Sequence, residues 1–143
     1  MTAAVERKAV GAVLAGWTAT QIAWPNRDFT PPAKASWLSV TIQAGDAAQI
    51  EFGSSADSVT HRHPGIVVVQ VFTPANWGDK TALDLADSVA ALFRRQRLSY
   101  TDGSVLFRTP SVRTIGVDGA FYQVNVSVPF VRDYIYPVEE IEP

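Results

Sequence analysis

The sequence FYQVNVSVPF at residues 121–130 alternates apolar and polar side chains more regularly than any other part of the chain. One face of this stretch would carry Tyr122, Val124, Val126, Val128 and Phe130, and the other Gln123, Asn125 and Ser127. A period of two residues is typical of a strand that buries one face. The Asp118-Gly119 pair just before it favours a tight turn, so residues 112–116 are predicted to complete a hairpin.

Further strands are predicted upstream of this hairpin. Residues 65–72 are almost continuously apolar and β-branched, which suits a strand that is covered on both faces. A second Asp-Gly turn, at Asp102-Gly103, indicates another hairpin. The polar stretch 53–63 lacks periodicity and is predicted to be a loop or a hairpin tip. The predicted strands are 21–24, 37–43, 48–52, 65–72, 98–100, 105–108, 112–116 and 121–131.

Two helices are predicted from apolar spacing. In residues 3–17, apolar side chains recur every fourth position, from Val5 to Trp17. Residues 79–96 combine helical apolar spacing with early aspartates and late arginines, as the helix dipole favours. The order of elements predicts an α+β fold with a mostly antiparallel sheet and both helices, N-terminal and central, packed on one face.

Composition excludes several classes of protein. The 143 residues suit a single domain, and the absence of cysteine excludes disulfide scaffolds and thiolate sites. No apolar stretch approaches the roughly 20 residues of a membrane-spanning helix, so no membrane partner is expected. The 14 acidic residues include three in the last five positions, which leaves 11 against 12 basic residues in the rest of the chain. Specific nucleic-acid binding is therefore not expected. We predict a domain at 1–132 and an acidic tail at 133–143.

One arrangement in the sequence could bind a metal. On a strand, His61 and His63 would share a face and could hold an ion with Asp57 as a third ligand. The alternative is that both histidines are solvated in a loop around Arg62. No nucleophile elbow, phosphate-binding glycine loop or dinucleotide motif is present. We therefore predict no catalytic residue, no cofactor and no metal.

Interface residues are easier to nominate than catalytic ones. Arg94, Arg95 and Arg97 could bind phosphate or a carboxylate of a partner, or they could simply complement the helix dipole. Trp77 lies in a Pro/Asn/Gly-rich loop and is the tryptophan expected to be exposed as an anchor. The remaining candidates are His61, Arg62, His63, and Tyr134 and Tyr136 of the tail.

The order of features after the first helix is distinctive. Ile22-Ala23-Trp24-Pro25-Asn26 is followed by Phe29, Pro31-Pro32 and Trp37-Leu38. A glycine-led apolar strand and a helix with Ala86-Asp87 and Leu92-Phe93 come next. Over roughly residues 3–132 this pattern resembles the tail terminator-like proteins of long-tailed bacteriophages and prophages, which are related in fold to the terminator of the phage lambda tail.

The resemblance implies a structural role in the virion. Six copies would form a ring that caps the head-proximal end of the tail tube, stops the addition of tube subunits and offers a surface to the neck. The implied partners are further copies of the chain, the tail tube protein and a head-tail connector, with assembly in the cytoplasm of the bacterial host. Arg94, Arg95 and Arg97 would then pair with acids of the adjacent subunit, and loop 53–63 and the Trp77 loop would reach neighbouring rings.

Three other functions remain open on the sequence alone. A head-completion or connector protein of the neck would share the size and the lack of chemistry. A metal-dependent enzyme would use His61 and His63. A free-standing module that binds a host factor is the third alternative.

Overall fold

The computed structural model describes residues 3–46, 48–52 and 58–137. They form two helices and a mostly antiparallel, curled sheet of the α+β class, as predicted. The elements are α1 (Ala4–Leu14), β1 (Gln21–Ala23), β2 (Trp37–Ala44), β3 (Ala48–Phe52), β4 (Ser58–Pro74), α2 (Lys80–Phe93), β5 (Arg97–Tyr100), β6 (Gly103–Phe107), β7 (Ser111–Asp118) and β8 (Phe121–Pro137). Neither helix in this part of the chain is long and apolar enough to cross a membrane.

Two long strands, β4 and β8, form the centre of the sheet. Each has 17 residues, and they pair antiparallel along their whole length, from Ser58 with Pro137 to Pro74 with Phe121. Because the shorter strands cannot cover such a length, two of them follow one another along each outer edge. Strands β2 and β3 pair with β4, and β7 and β6 pair with β8. Strand β1 adds parallel to β2, and β5 adds antiparallel to β6.

The core lies on one face of the central pair. Val67, Val69 and Val71 of β4 are fully buried, and they face Val128, Val126 and Val124 of β8 in register. The predicted alternation of β8 is therefore confirmed. The prediction that residues 65–72 are covered on both faces is wrong, since Ile66, Val68, Gln70 and Phe72 are only half-buried. β-Branched residues suit any strand with a packed face, so their continuous run does not distinguish one covered face from two.

Both helices contribute to the same hydrophobic cluster as these valines. Its helical members are Ala9, Val10 and Leu14 of α1 and Ala82, Ala86, Val89, Ala90 and Phe93 of α2. Both helices are shorter than predicted, and α2 ends at Phe93 because Arg94 is extended (ψ 124°) and Arg95 takes a left-handed φ of 61°. The predicted arginines of the last helical turn therefore lie beyond the helix.

The aromatic residues of the distinctive motif hold the long loop after β1 in place. The guanidinium carbon of Arg7 lies 3.7 Å from the centre of the Trp24 ring, which attaches the start of the loop to α1. Phe29 contacts Trp37 with ring centroids 5.2 Å apart, and Trp37 stacks on Phe72 at 4.2 Å. This stack lies on the sheet face opposite the buried valines, so the motif covers one end of that face.

Two predicted irregular segments belong partly to the long strands. Residues 58–63 of the predicted loop 53–63 are part of β4, and residues 133–137 of the predicted tail continue β8. Arg62 forms an ion pair with Asp133, its cross-strand partner, so these polar residues are satisfied by each other within the sheet. Residues 53–57, including Asp57, and residues 138–143 lie outside the described part of the chain.

Gly65 supports a first prediction, because β4 and β8 approach closely there. A Cβ at Gly65 would overlap the ring of its cross-strand partner Phe130 and lie 2.8 Å from the carbonyl oxygen of Gln43. We expect Gly65→Ala to lower the free energy of unfolding by about 1–3 kcal/mol, because Phe130 must leave its packed position. Urea denaturation measures this change. The control is Gly16→Ala, since no atom lies within 4 Å of a Cβ at Gly16; equal midpoints for the two variants would contradict the prediction.

Candidate assembly surfaces

Four arginines converge on one pocket beside the end of α2. Arg94 and Arg95 follow the helix, Arg97 begins β5, and Arg108 follows β6. Two backbone hydrogen bonds fix the walls: Phe107 N–H donates to the Gln96 carbonyl at 2.9 Å, and Arg108 N–H donates to the Pro129 carbonyl at 2.7 Å. The pocket has a volume of about 660 Å³, and Leu106 and Phe107 form its apolar part.

The pocket arginines lack acidic partners within the described part of the chain. All four are exposed, and none of the ion pairs formed among the described residues includes them. Arg95 also has a left-handed backbone, a conformation that costs a residue with a Cβ roughly 1–2 kcal/mol. Guanidinium groups present five donors in a planar fork, which matches carboxylates and phosphates. The pocket is therefore suited to an anion carried by another molecule.

Acidic side chains lie on the exposed face of α2, towards its start. Asp79 precedes the helix, and Asp84 and Asp87 lie three residues apart on its solvent side. Lys80 donates to Asp84 over 2.6 Å. This hydrogen bond, together with the negative charge of Asp84, raises the pKa of Lys80. Three carboxylates against one ammonium leave this end of α2 negative at neutral pH.

The predicted histidines lie on β4 and pack against β8. The ring of Tyr134, which is 4% exposed, stacks on His61 and on His63 with centroid distances of 5.7 and 5.0 Å. His63 Nε2 and the Tyr134 hydroxyl are 2.7 Å apart and share a hydrogen bond. The side chain of Arg62 lies on the opposite face of β4 from the two histidines and forms two hydrogen bonds to Asp133, at 2.8 and 2.9 Å. The solvated loop considered for these residues is therefore wrong, because they are packed within the sheet.

Among the described residues, no third ligand accompanies His61 and His63 to complete a metal site. No three His, Asp or Glu side chains within residues 3–46, 48–52 and 58–137 are arranged to hold an ion. Tyr136, another predicted interface residue, belongs to β8, but its side chain is outside the part of the chain that the structure describes. The structure thus brings His61, His63 and Tyr134 together, and brings Arg94, Arg95 and Arg97 together, in two separate clusters.

His63 gives a prediction for pH dependence. Burial, and then the nearby charge of Arg132, lower its pKa below 6.5. The folded state therefore binds fewer protons than the unfolded state, so stability falls as the pH drops below about 6.5 and stops falling at the folded pKa. Urea denaturation between pH 7 and 5 should show this slope, and His63→Gln should reduce it. A slope unchanged in His63→Gln would contradict the assignment.

Exposed apolar side chains are concentrated near β7. Val112, Ile115 and Val117 of this strand are 40, 50 and 69% exposed, and Trp77 is 56% exposed. Strand β7 pairs only with β8, so its other edge is unpaired within the described sheet. The loop of Trp77 lies beside the turn after β7, where Ala75 N–H donates to the Ala120 carbonyl at 2.9 Å. The predicted exposure of Trp77 is confirmed, and its role as an anchor stays a prediction.

Sequence reasoning missed two features of these surfaces. Arg108 was not grouped with the other arginines, although the predicted hairpin through Asp102-Gly103 would have brought it near Arg97. The buried ion pair between Glu6 and Arg132 was also missed: Arg132 Nε donates to Glu6 Oε1 at 3.1 Å, and both side chains are about 5% exposed or less. No local pattern signals this pair, because 126 positions separate its partners.

Two comparisons with known proteins find a match to this chain. A family model described as phage tail terminator protein matches residues 4–130. One solved structure is similar over 100% of this chain and 99% of its own, with a TM-score of 0.69 and 21% sequence identity, a likeness that concerns the fold alone. The search of curated proteins finds no match.

Proposed function

Because the chain belongs to the phage tail terminator family, whose members are structural components of phage tails, we propose that it ends the growth of the tail tube. Six copies form a ring on the head-proximal end of the tube, and the opposite face of the ring receives the neck of the filled head. In each subunit both helices pack on one face of the sheet. The ring assembles in the bacterial cytoplasm from copies of this chain, and its other partners are the tube protein and a head-tail connector.

The exposed edge of β7 is the observation that supports a ring. An unpaired strand with several exposed apolar residues is a site for association, and isolated proteins normally protect such edges. Three of the large apolar side chains exposed on the described surface belong to β7. A subunit with neighbours on either side covers this edge in its working state. A terminator also needs contact surfaces on the ring faces, since it must match the tube end without offering a new one.

The length of the tails tests this function directly. An amber codon at Gln21 in the phage or prophage that carries the gene removes the protein after 20 residues. We expect over-long tails without heads by electron microscopy, because nothing stops the tube subunits from adding. The matched control is the same mutant in a host whose suppressor inserts glutamine at the amber codon, which restores the natural residue and should restore the normal length.

Each other result identifies a different role. Tails of normal length that are not attached to filled heads would contradict termination and indicate a head-completion or connector protein. Infectious particles of normal shape would contradict any essential role in the tail and return attention to His61 and His63 or to a host factor.

A further inference from the structure

The two ends of α2 carry opposite charges on the exposed surface. Asp79, Asp84 and Asp87 lie at its start and in its middle, and Arg94 and Arg95 follow its end. The 14 residues of α2 span about 21 Å. No ion pair among the described residues joins the two groups. Asp84 pairs with Lys80 on its own helix, but three carboxylates against one ammonium still leave a net negative charge that is available to the basic end of another copy.

The arginine pocket fits what the acidic end presents. Trp77 stands two residues before Asp79, so the loop after β4 and the first half of α2 offer an indole together with carboxylates. Guanidinium groups bind carboxylates through paired hydrogen bonds and also stack on aromatic rings. Leu106, which is half-buried, and the almost fully buried Phe107 line the same pocket. Tryptophan and arginine are the residues that dominate binding at protein interfaces.

We infer that neighbouring subunits bind head to tail along α2, with the arginine pocket of one copy holding the Trp77 loop and the α2 aspartates of the next. This inference rests on the ring proposed above and names its contact. Two different patches meet, so the contact is heterologous, and repetition of a heterologous contact around an axis closes a ring. The partner is a second copy of this chain, since each copy carries both complementary patches in the described structure.

Two charge-reversed variants test the contact, because mixing them should restore the ring formation that each variant alone has lost. One variant carries Arg94→Glu, Arg97→Glu and Arg108→Glu, which leaves three glutamates against Arg95 in the pocket, so both of its patches are acidic. The other carries Asp84→Arg and Asp87→Arg, so both of its patches are basic. We expect each variant alone to remain monomeric in analytical ultracentrifugation under conditions where the wild type forms rings. An equimolar mixture should form rings again, because alternating variants restore opposite charges at every contact and six positions allow alternation.

A control variant and a single substitution distinguish loss of the contact from loss of folding. Arg27→Glu with Lys34→Glu reverses two exposed charges in the loop after β1 and should leave ring formation unchanged. Trp77→Ala removes an exposed side chain, so folding should persist, and the concentration for half-assembly should rise about tenfold or more. Circular dichroism verifies the fold of every variant.

The outcomes separate the contact from the ring itself. Rings from either charge-reversed variant alone, or no rings from the mixture, would overturn the head-to-tail contact while leaving the ring intact. A Trp77→Ala variant that assembles like the wild type would remove Trp77 from the contact. A wild-type protein that forms no ring, either alone or on the ends of tail tubes, would overturn the proposed function and the contact with it.

Discussion

Replacement of Arg132 by leucine is expected to lower the free energy of unfolding by about 3–5 kcal/mol. The substitution leaves the Glu6 carboxylate buried without its partner, since Glu6 and Arg132 are each 4% exposed. It also removes the guanidinium that lies 5.0 Å from the centre of the Tyr134 ring. The pair connects α1 to β8, so its loss should loosen the packing of the first helix. Urea denaturation gives the free energy directly.

Two comparisons make the Arg132 result specific. A double variant with Glu6→Met and Arg132→Leu should recover most of the lost stability, because replacing both charges by apolar groups removes the unpaired carboxylate. Lys80→Ala breaks an ion pair whose side chains are 87 and 62% exposed, and should change stability far less, because solvent screens the attraction between exposed charges. If the Arg132 and Lys80 variants lost similar stability, the buried pair would contribute no more than an exposed one.

Phe107→Ala is expected to destabilise the domain by about 3–5 kcal/mol. Phe107 is 2% exposed, and its ring lies between those of Phe93 and Phe130 at 5.1 and 6.0 Å. Removal of the ring leaves a cavity where α2, β6 and β8 meet. Thermal or urea denaturation measures the loss, and Phe107→Leu, which keeps most of the volume, should lose clearly less.

Phe107 also lines the arginine pocket, but its side chain is almost fully buried. Phe107→Leu should therefore remain folded and form rings like the wild type, which separates the packing role of this residue from the contact between copies. A Phe107→Ala variant as stable as the wild type would mean that the three rings do not form one packed unit.

Local features of the fold were predictable because their signals are local. Both Asp-Gly turns produce hairpins, with β5 against β6 and β7 against β8. The apolar spacing of α2 identified the helix, although the conformations of Arg94 and Arg95 that end it leave no mark in that spacing. Residue type and position in a loop were sufficient to predict that Trp77 is exposed.

Features that depend on distant pairing were not predictable in the same way. The outer parts of β4 and β8 lack the apolar alternation of their inner parts, and their residues pair with each other across the sheet, where Arg62 meets Asp133 and His63 meets Tyr134. Taken alone, residues 58–63 have the composition of a loop and residues 133–137 that of a tail. The arginine pocket was partly predicted, because three of its arginines are near neighbours in sequence, while the fourth, Arg108, joins them through β6.

The pairing of β4 with β8 has a consequence for how the chain folds. Pro74 and Phe121 are the partners closest in sequence, 47 positions apart, and Ser58 and Pro137 are 79 positions apart. A chain must close a large loop before any of these contacts forms, and such high contact order is associated with slow folding. The hairpin of β7 and β8 needs only a short turn and can form early. We therefore expect docking of β4 onto the preformed hairpin to limit the folding rate, so that newly made chains become competent for assembly only after this slow step.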